Sequence, residues 1–199
     1  MYKYSVAIST ILAFVASAQE KGTFIIDVIG GPVSPAHPVV EVRLYASFPQ
    51  QYWAFGSTTL HISSSDPTGQ FFNMTKPIGP GALSPSGACA MWAGGTPNSS
   101  GGVGPLGASQ FNAVGCAAGT WNPILIWQAE WTTSDFAARN VVLATDNILK
   151  YSVYVSSQSS LPDLFLNYEP AAAVFQVIPT PGSIACIGAI VVASRRRRF

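Results

Sequence analysis

Apolar and polar residues alternate along several short stretches of this chain, and a period of two marks a strand with one face buried. The clearest case puts Val40, Val42, Leu44 and Ala46 on one face and Glu41, Arg43, Tyr45 and Ser47 on the other. Leu60 and Ile62 alternate with Thr59, His61 and Ser63 after an aromatic patch of Tyr52, Trp53 and Phe55. Further on, Leu125, Trp127, Ala129 and Trp131 share one face against Ile124, Ile126, Gln128 and Glu130. Leu149, Tyr151, Val153 and Val155 alternate with Lys150, Ser152, Tyr154 and Ser156. Thr23 to Gly30, Val141 to Thr145 and Ala173 to Ile178 are β-branched and apolar runs that also read as strands.

Turn chemistry separates these runs. Gly30-Gly31-Pro32 ends the first, Pro32, Pro35 and Pro38 form an extended link, and Ser65-Asp66-Pro67-Thr68-Gly69 reads as a turn. From Gly79 to Gly119 the alternation dissolves among eleven glycines. The expectation there is an Ω-like excursion with one short strand near Gln110 to Val114. No stretch of the body sustains a 3.6-residue period with caps, and no internal repeat is evident. About six to nine short strands separated by turns predict an all-β fold, an antiparallel β-sandwich with a long Gly-rich loop.

The two ends read differently from the body. Met1-Tyr2-Lys3-Tyr4 carries one positive charge ahead of the apolar run Ser5 to Val15. Ala16-Ser17-Ala18 then supplies the small residues that a signal peptidase needs, with cleavage expected before Gln19. The run is shorter than the ~20 residues that span a bilayer. At the other end Val177-Ile178-Pro179-Thr180-Pro181-Gly182-Ser183 leads into the apolar stretch Ile184 to Ala193, which Arg195, Arg196, Arg197 and Arg198 close. As a helix that stretch rises about 15 Å, half the hydrocarbon core, which suits transient insertion with the arginines kept cytoplasmic.

This tail resembles the PEP-CTERM sorting signal of Gram-negative bacteria. Its Pro179-Thr180-Pro181-Gly182 looks like the planctomycete form, with Thr180 where Pro-Glu-Pro has glutamate. The resemblance implies an exosortase-like transpeptidase acting between Pro179 and Gly182, after which the protein goes to the cell surface or an exopolysaccharide matrix. The implied organisation is a signal peptide at 1–18, a sandwich domain at 19–176 and a sorting and anchoring tail, a short hydrophobic helix, at 177–199. The body resembles, more loosely, sandwich regions of such exported proteins through Pro38-Val39-Val40-Glu41-Val42, Asn122-Pro123-Ile124-Leu125-Ile126-Trp127 and Trp131-Thr132-Thr133-Ser134-Asp135-Phe136. No activity follows from those short matches.

Charge changes the picture in one way. The formal charge of +1 falls once Lys3 and the four terminal arginines are set aside, leaving five basic residues against nine acidic ones. An acidic body without clustered Lys and Arg argues against nucleic acid as a partner. Cys89 and Cys116 bracket the Gly-rich region and are either a disulfide, worth about 3 kcal/mol for a loop near this length, or two buried thiols. Cys186 falls in the apolar tail and is expected to stay unpaired.

Signals for chemistry are weak. No G-x-S-x-G elbow is present, His37 sits between prolines, and His61 lies on a strand face expected to be exposed. No His or Cys has a second ligand at metal-binding spacing, so neither metal nor cofactor is expected. The carboxylates Asp27, Glu41, Asp66, Glu130, Asp135, Asp146, Asp163 and Glu169 are scattered, and only folding in space could pair two of them for glycoside hydrolysis. Trp127 and Trp131 read as core, whereas Trp53 and Trp92 fall in loop-like regions and are the candidates for stacking a sugar ring. The reading is an exported, non-enzymatic surface or matrix protein, processed by signal peptidase and an exosortase-like enzyme and held to the membrane at least transiently. Its rivals are a carbohydrate-binding sandwich, which an exopolysaccharide partner would suit, and a secreted hydrolase.

Overall fold

A computed structural model describes residues 20–84, 90–112, 118 and 120–179. The described chain is all β, with strands β1 (Lys21–Ile29), β2 (Val39–Ser47), β3 (Ala54–Ser64), β4 (Gly69–Thr75), β5 (Ala90–Ala93) and β6 (Thr96–Pro97). There follow β7 (Val103–Gln110), β8 (Ile124–Thr133), β9 (Arg139–Tyr154), β10 (Leu164–Phe165), β11 (Asn167–Glu169) and β12 (Ala172–Val177). Sheet I runs β11-β1-β2-β8-β4; sheet II runs β10-β9-β3-β7-β5, with β12 on β9 and β6 on β7. Among the described residues every strand-to-strand pairing is antiparallel except β11 on β1.

The two sheets pack face to face on the apolar side of each alternation, as two half-apolar sheets must. Val40, Val42, Leu44 and Ala46 all turn inward from β2, as their spacing predicts. Opposite them lie Phe55, Leu60 and Ile62 of β3 and Leu143, Tyr151 and Val153 of β9. Aromatic edge contacts stitch the layers. Phe24 of β1 meets Tyr151 at 5.2 Å between centroids, and Trp131 of β8 meets Phe175 of β12 at 4.9 Å. Each such pair adds about 0.5–1.5 kcal/mol to the burial of its rings. Tyr151 also donates from its hydroxyl to the carbonyl of Ser47 at 2.7 Å, and Trp127 from Nε1 to the carbonyl of Gly94 at 3.1 Å.

Several expectations are corrected. The region from Gly79 to Gly119 holds strands β5, β6 and β7, and the last runs over Val103–Gln110 where a strand near 110–114 was expected. Its alternation is hidden because the outward positions Pro105, Gly107 and Ser109 are small or ring-closed, while Leu106, Ala108 and Gln110 point in. Strand β4 carries no clear alternation in its sequence, since Phe72 faces outward and Asn73 interrupts the pattern.

Leu125 does not share the core face with Trp127. Tyr45 stands opposite Leu125 and Leu44 opposite Trp127, so a bulge leaves Ile126 and Trp127 both turned inward and Leu125 outside. The two runs at Val141 and Leu149 are one strand, β9, bent by a register shift at which Asn147 takes φ 44°. Ile148 fills the inward place there, and Leu149 is 68% exposed. Val155, at 49% exposure, lies just past the strand end.

No helix among the described residues is long and apolar enough to cross a membrane. Ala16, Ala18, Cys89, Cys116, Thr180, Pro181, Gly182, Cys186 and Arg195 to Arg198 lie outside the described residues, and so do the cleavage, disulfide and tail-helix expectations that fall on them.

Candidate functional site

The outer face of sheet II is covered at one end and open at the other. At the covered end Trp53 packs edge-on against Tyr154 at 6.2 Å, with Ala54 and Ala118 beside them. Burial pushes the Tyr154 phenol above its ordinary pKa, and its hydroxyl donates to the carbonyl of Gln110 at 2.9 Å. Asn112 ties the neighbouring loop down by donating to the carbonyls of Ser157 and Ser159, both at 2.8 Å.

At the open end lies a shallow trough of about 150 Å³ over β3, β7 and β5. Its floor is small because Thr59, Gly107 and Ala93 stand side by side in register, with Ser57, Ser109 and Met91 in the next row. Met91 rises from the rim, 66% exposed. Among the described residues, a side chain built on Gly107 would meet only the Cβ of Ala93, at 3.4 Å.

The two tryptophans singled out from the sequence do not come together. Trp53 belongs to the small cluster at the covered end. Trp92 turns to the inner side of β5 and packs on the core, its Nε1 buried without an acceptor among the described residues. Both are half-buried, whereas Trp121 is 52% exposed.

The remaining candidates are placed as follows. His37 is exposed, and its amide is held by Ser34. His61 stands opposite Asp146 on β9 and bonds Asn147 through Nε2 at 3.2 Å. No group of three His, Cys, Asp or Glu residues that could hold a metal is found among the described residues. Of the carboxylates, Glu41 and Glu130 become direct cross-strand neighbours on the outer face of sheet I. Arg43 donates to Glu41 at 2.7 Å, a bond that with a second one to Tyr45 raises the guanidinium's pKa.

No protein-family model and no curated protein matches the chain. Among solved structures it is similar to the cohesin module of a family 33 glycoside hydrolase from Clostridium perfringens, with a TM-score of 0.55 over 81% of this chain and 99% of that one. The fold resembles that of cohesin modules. A type I cohesin from Pseudobacteroides cellulosolvens superposes with a TM-score of 0.50, covering 80% of this chain and 92% of its own. Sequence identity is 9% and 10%, so the likeness to cohesin modules is one of architecture.

The proline motif begins at Pro179. Just before it, β12 closes against β9, and Ile178 donates its amide to the carbonyl of Val33 at 2.8 Å.

Proposed function

We propose that this chain is an exported, non-enzymatic β-sandwich displayed at the cell surface or in an extracellular matrix through its C-terminal sorting tail. The observation that carries this reading is where the sandwich ends. Val177 is buried in the core, Ile178 makes the last backbone bond among the described residues, and the proline motif begins at the next residue. A sorting enzyme acting between Pro179 and Gly182 would leave every core contact of the body intact. The test is the intact mass of the protein exported by its native host. Loss of 1–18 and of the residues beyond Gly182 is expected; a mass that retains Arg195 to Arg198 would overturn the sorting reading.

The trough beside Met91 supports a working face for the displayed body. A flat, small-residue floor with one flexible thioether at the rim suits docking of another protein surface. Peroxide footprinting tests it, since an exposed methionine is oxidised to the sulfoxide. Met91 should oxidise fully in the purified protein and be protected on intact cells. Equal oxidation in both settings would count against a docked partner at this face.

A further inference from the structure

The opposite face, on sheet I, carries a second and chemically different surface. Two rows of side chains cross its strands in register. One runs Phe72, Glu130, Glu41 over β4, β8 and β2; the other runs Thr75, Gln128, Arg43 over the same strands. Between them lies a polar hollow of about 190 Å³. Neighbouring strands are about 4.8 Å apart and successive same-face residues about 7 Å, so the patch is about 10 Å by 7 Å, the footprint of one or two sugar rings.

The side chains there are held in place with bonding capacity to spare. Asn73 donates to Oε2 of Glu130 at 2.9 Å, Gln128 donates to Oγ1 of Thr75 at 2.9 Å, and Arg43 donates from Nε to Oε1 of Glu41. Each bond fixes a rotamer and leaves bonding capacity on the lining side chains, a second carboxylate oxygen on Glu41 and Glu130 and the amide oxygen of Gln128. Asn73 reaches its position only because β4 is irregular there. The register shifts between Phe72 and Thr75, and Asn73 takes φ 48°, a left-handed conformation that costs most residues energy.

The mixture of groups selects the ligand. Arg43, beside the hollow, already neutralises Glu41, which leaves little net charge to hold a free cation, and a free anion would meet two carboxylates. A neutral polyhydroxyl compound, whose every hydroxyl both donates and accepts, matches a surface of paired acceptors and donors. Phe72, half-exposed opposite Glu130 and beside the hollow, offers an apolar edge for a ring face. We infer that the Glu130–Gln128–Asn73 hollow on sheet I binds a neutral hexose or pentose unit of a glycan. The hollow holds the sugar without cutting it. Glu41 and Glu130 stand side by side on one open face, so they cannot flank a bound ring from its two sides as the carboxylate pair of a glycosidase does.

This inference is independent of how the tail is processed, and it moves the sugar site away from Trp53 and Trp92. The test is calorimetric titration of the full exported chain with cellohexaose, mannohexaose and xylohexaose. At least one should bind saturably, with no release of reducing ends. The isosteric Glu130→Gln change, which preserves side-chain volume, should weaken binding at least fivefold, and Gln128→Ala and Phe72→Ala at least tenfold. Met91→Ala on the other face should leave affinity within twofold. The inference is overturned if all three neutral oligosaccharides fail to bind. It is equally overturned if binding survives the sheet I changes and is lost on Trp53→Ala or Trp92→Ala, or if polygalacturonate or chitosan oligomers bind and no neutral sugar does.

Discussion

Arg139, at the start of β9, donates from Nη2 to Oδ2 of Asp66 across 2.6 Å, in the turn between β3 and β4. The β3–β4 and β8–β9 connections each carry the chain from one sheet to the other, so a single ion pair locks both crossings. Asp66 is 2% exposed, and its other oxygen accepts from the amide and the hydroxyl of Thr68 at 2.9 and 2.7 Å. The same guanidinium also reaches the Thr133 hydroxyl and the carbonyls of Asp135 and Ala137. Removing Arg139 strands the buried Asp66 carboxylate, so Arg139→Ala should cost about 3 kcal/mol in denaturant unfolding, and Asp66→Ala less, because Arg139 is part-exposed and keeps Asp135. The double variant should cost clearly less than the sum, because the second loss removes the stranded charge.

The same pair sets an acid limit. Burial alone would raise the Asp66 pKa, but hydrogen bonds from Arg139, from the side chain and backbone of Thr68 and from Thr133 together hold it below the ordinary value. A depressed folded pKa means the stabilisation is complete above the unfolded carboxyl pKa of about 4 and drains away as pH falls through the lower folded value. Urea midpoints should therefore drop between pH 4 and pH 2 in the natural chain. In Asp66→Asn this component of the drop should be absent, and a slope equal to the natural one would show that other carboxylates govern acid unfolding.

Gly101 closes the β6–β7 turn against that corner. It holds φ 80°, and a Cβ there would sit inside contact distance of the Asp66 carbonyl oxygen. Gly101→Ala adds backbone strain to a collision with main chain that cannot swing aside. It should destabilise by more than about 1 kcal/mol. Gly107→Ala, with only ordinary contact at 3.4 Å to Ala93, is the matched control and should be close to neutral. Paired thermal melts of the two variants measure the difference.

How much of this was legible depended on what the outward residues were. Strand β2 could be read residue by residue because Glu41, Arg43 and Tyr45 contrast with the aliphatic side chains between them. Strand β7 could not, because Pro105, Gly107 and Ser109 carry too little polarity to mark an outer face, and that face is where the trough lies. The bulge at Ile126–Trp127 left no mark in composition, since it inserts one apolar residue among others. The pairing of Glu41 with Glu130 depends on β2 lying beside β8, 89 positions of chain apart by number, which no local pattern encodes. Trp53 and Trp92 looked loop-like for want of alternating neighbours, yet each ring is packed against structure on one side.

The last strand offers the sharpest separation of body from tail. Phe175 packs edge-on against Trp131, and Val177 is buried between β9 and the Val33 bridge. A chain ending at Pro179 keeps both contacts and every pairing of β12, so its unfolding free energy should match that of the full body within about 0.5 kcal/mol. A chain ending at Ala171 exposes Trp131 and uncovers the β9 edge from Arg139 to Ala144. Losing half-buried Phe175 and buried Val177 together costs about 3–5 kcal/mol, of the order of a small domain's whole stability. The shorter chain should be unfolded or aggregated by circular dichroism and light scattering. If it instead melts cooperatively like the longer one, β12 belongs with the tail, and the sandwich ends earlier than its hydrogen bonds indicate.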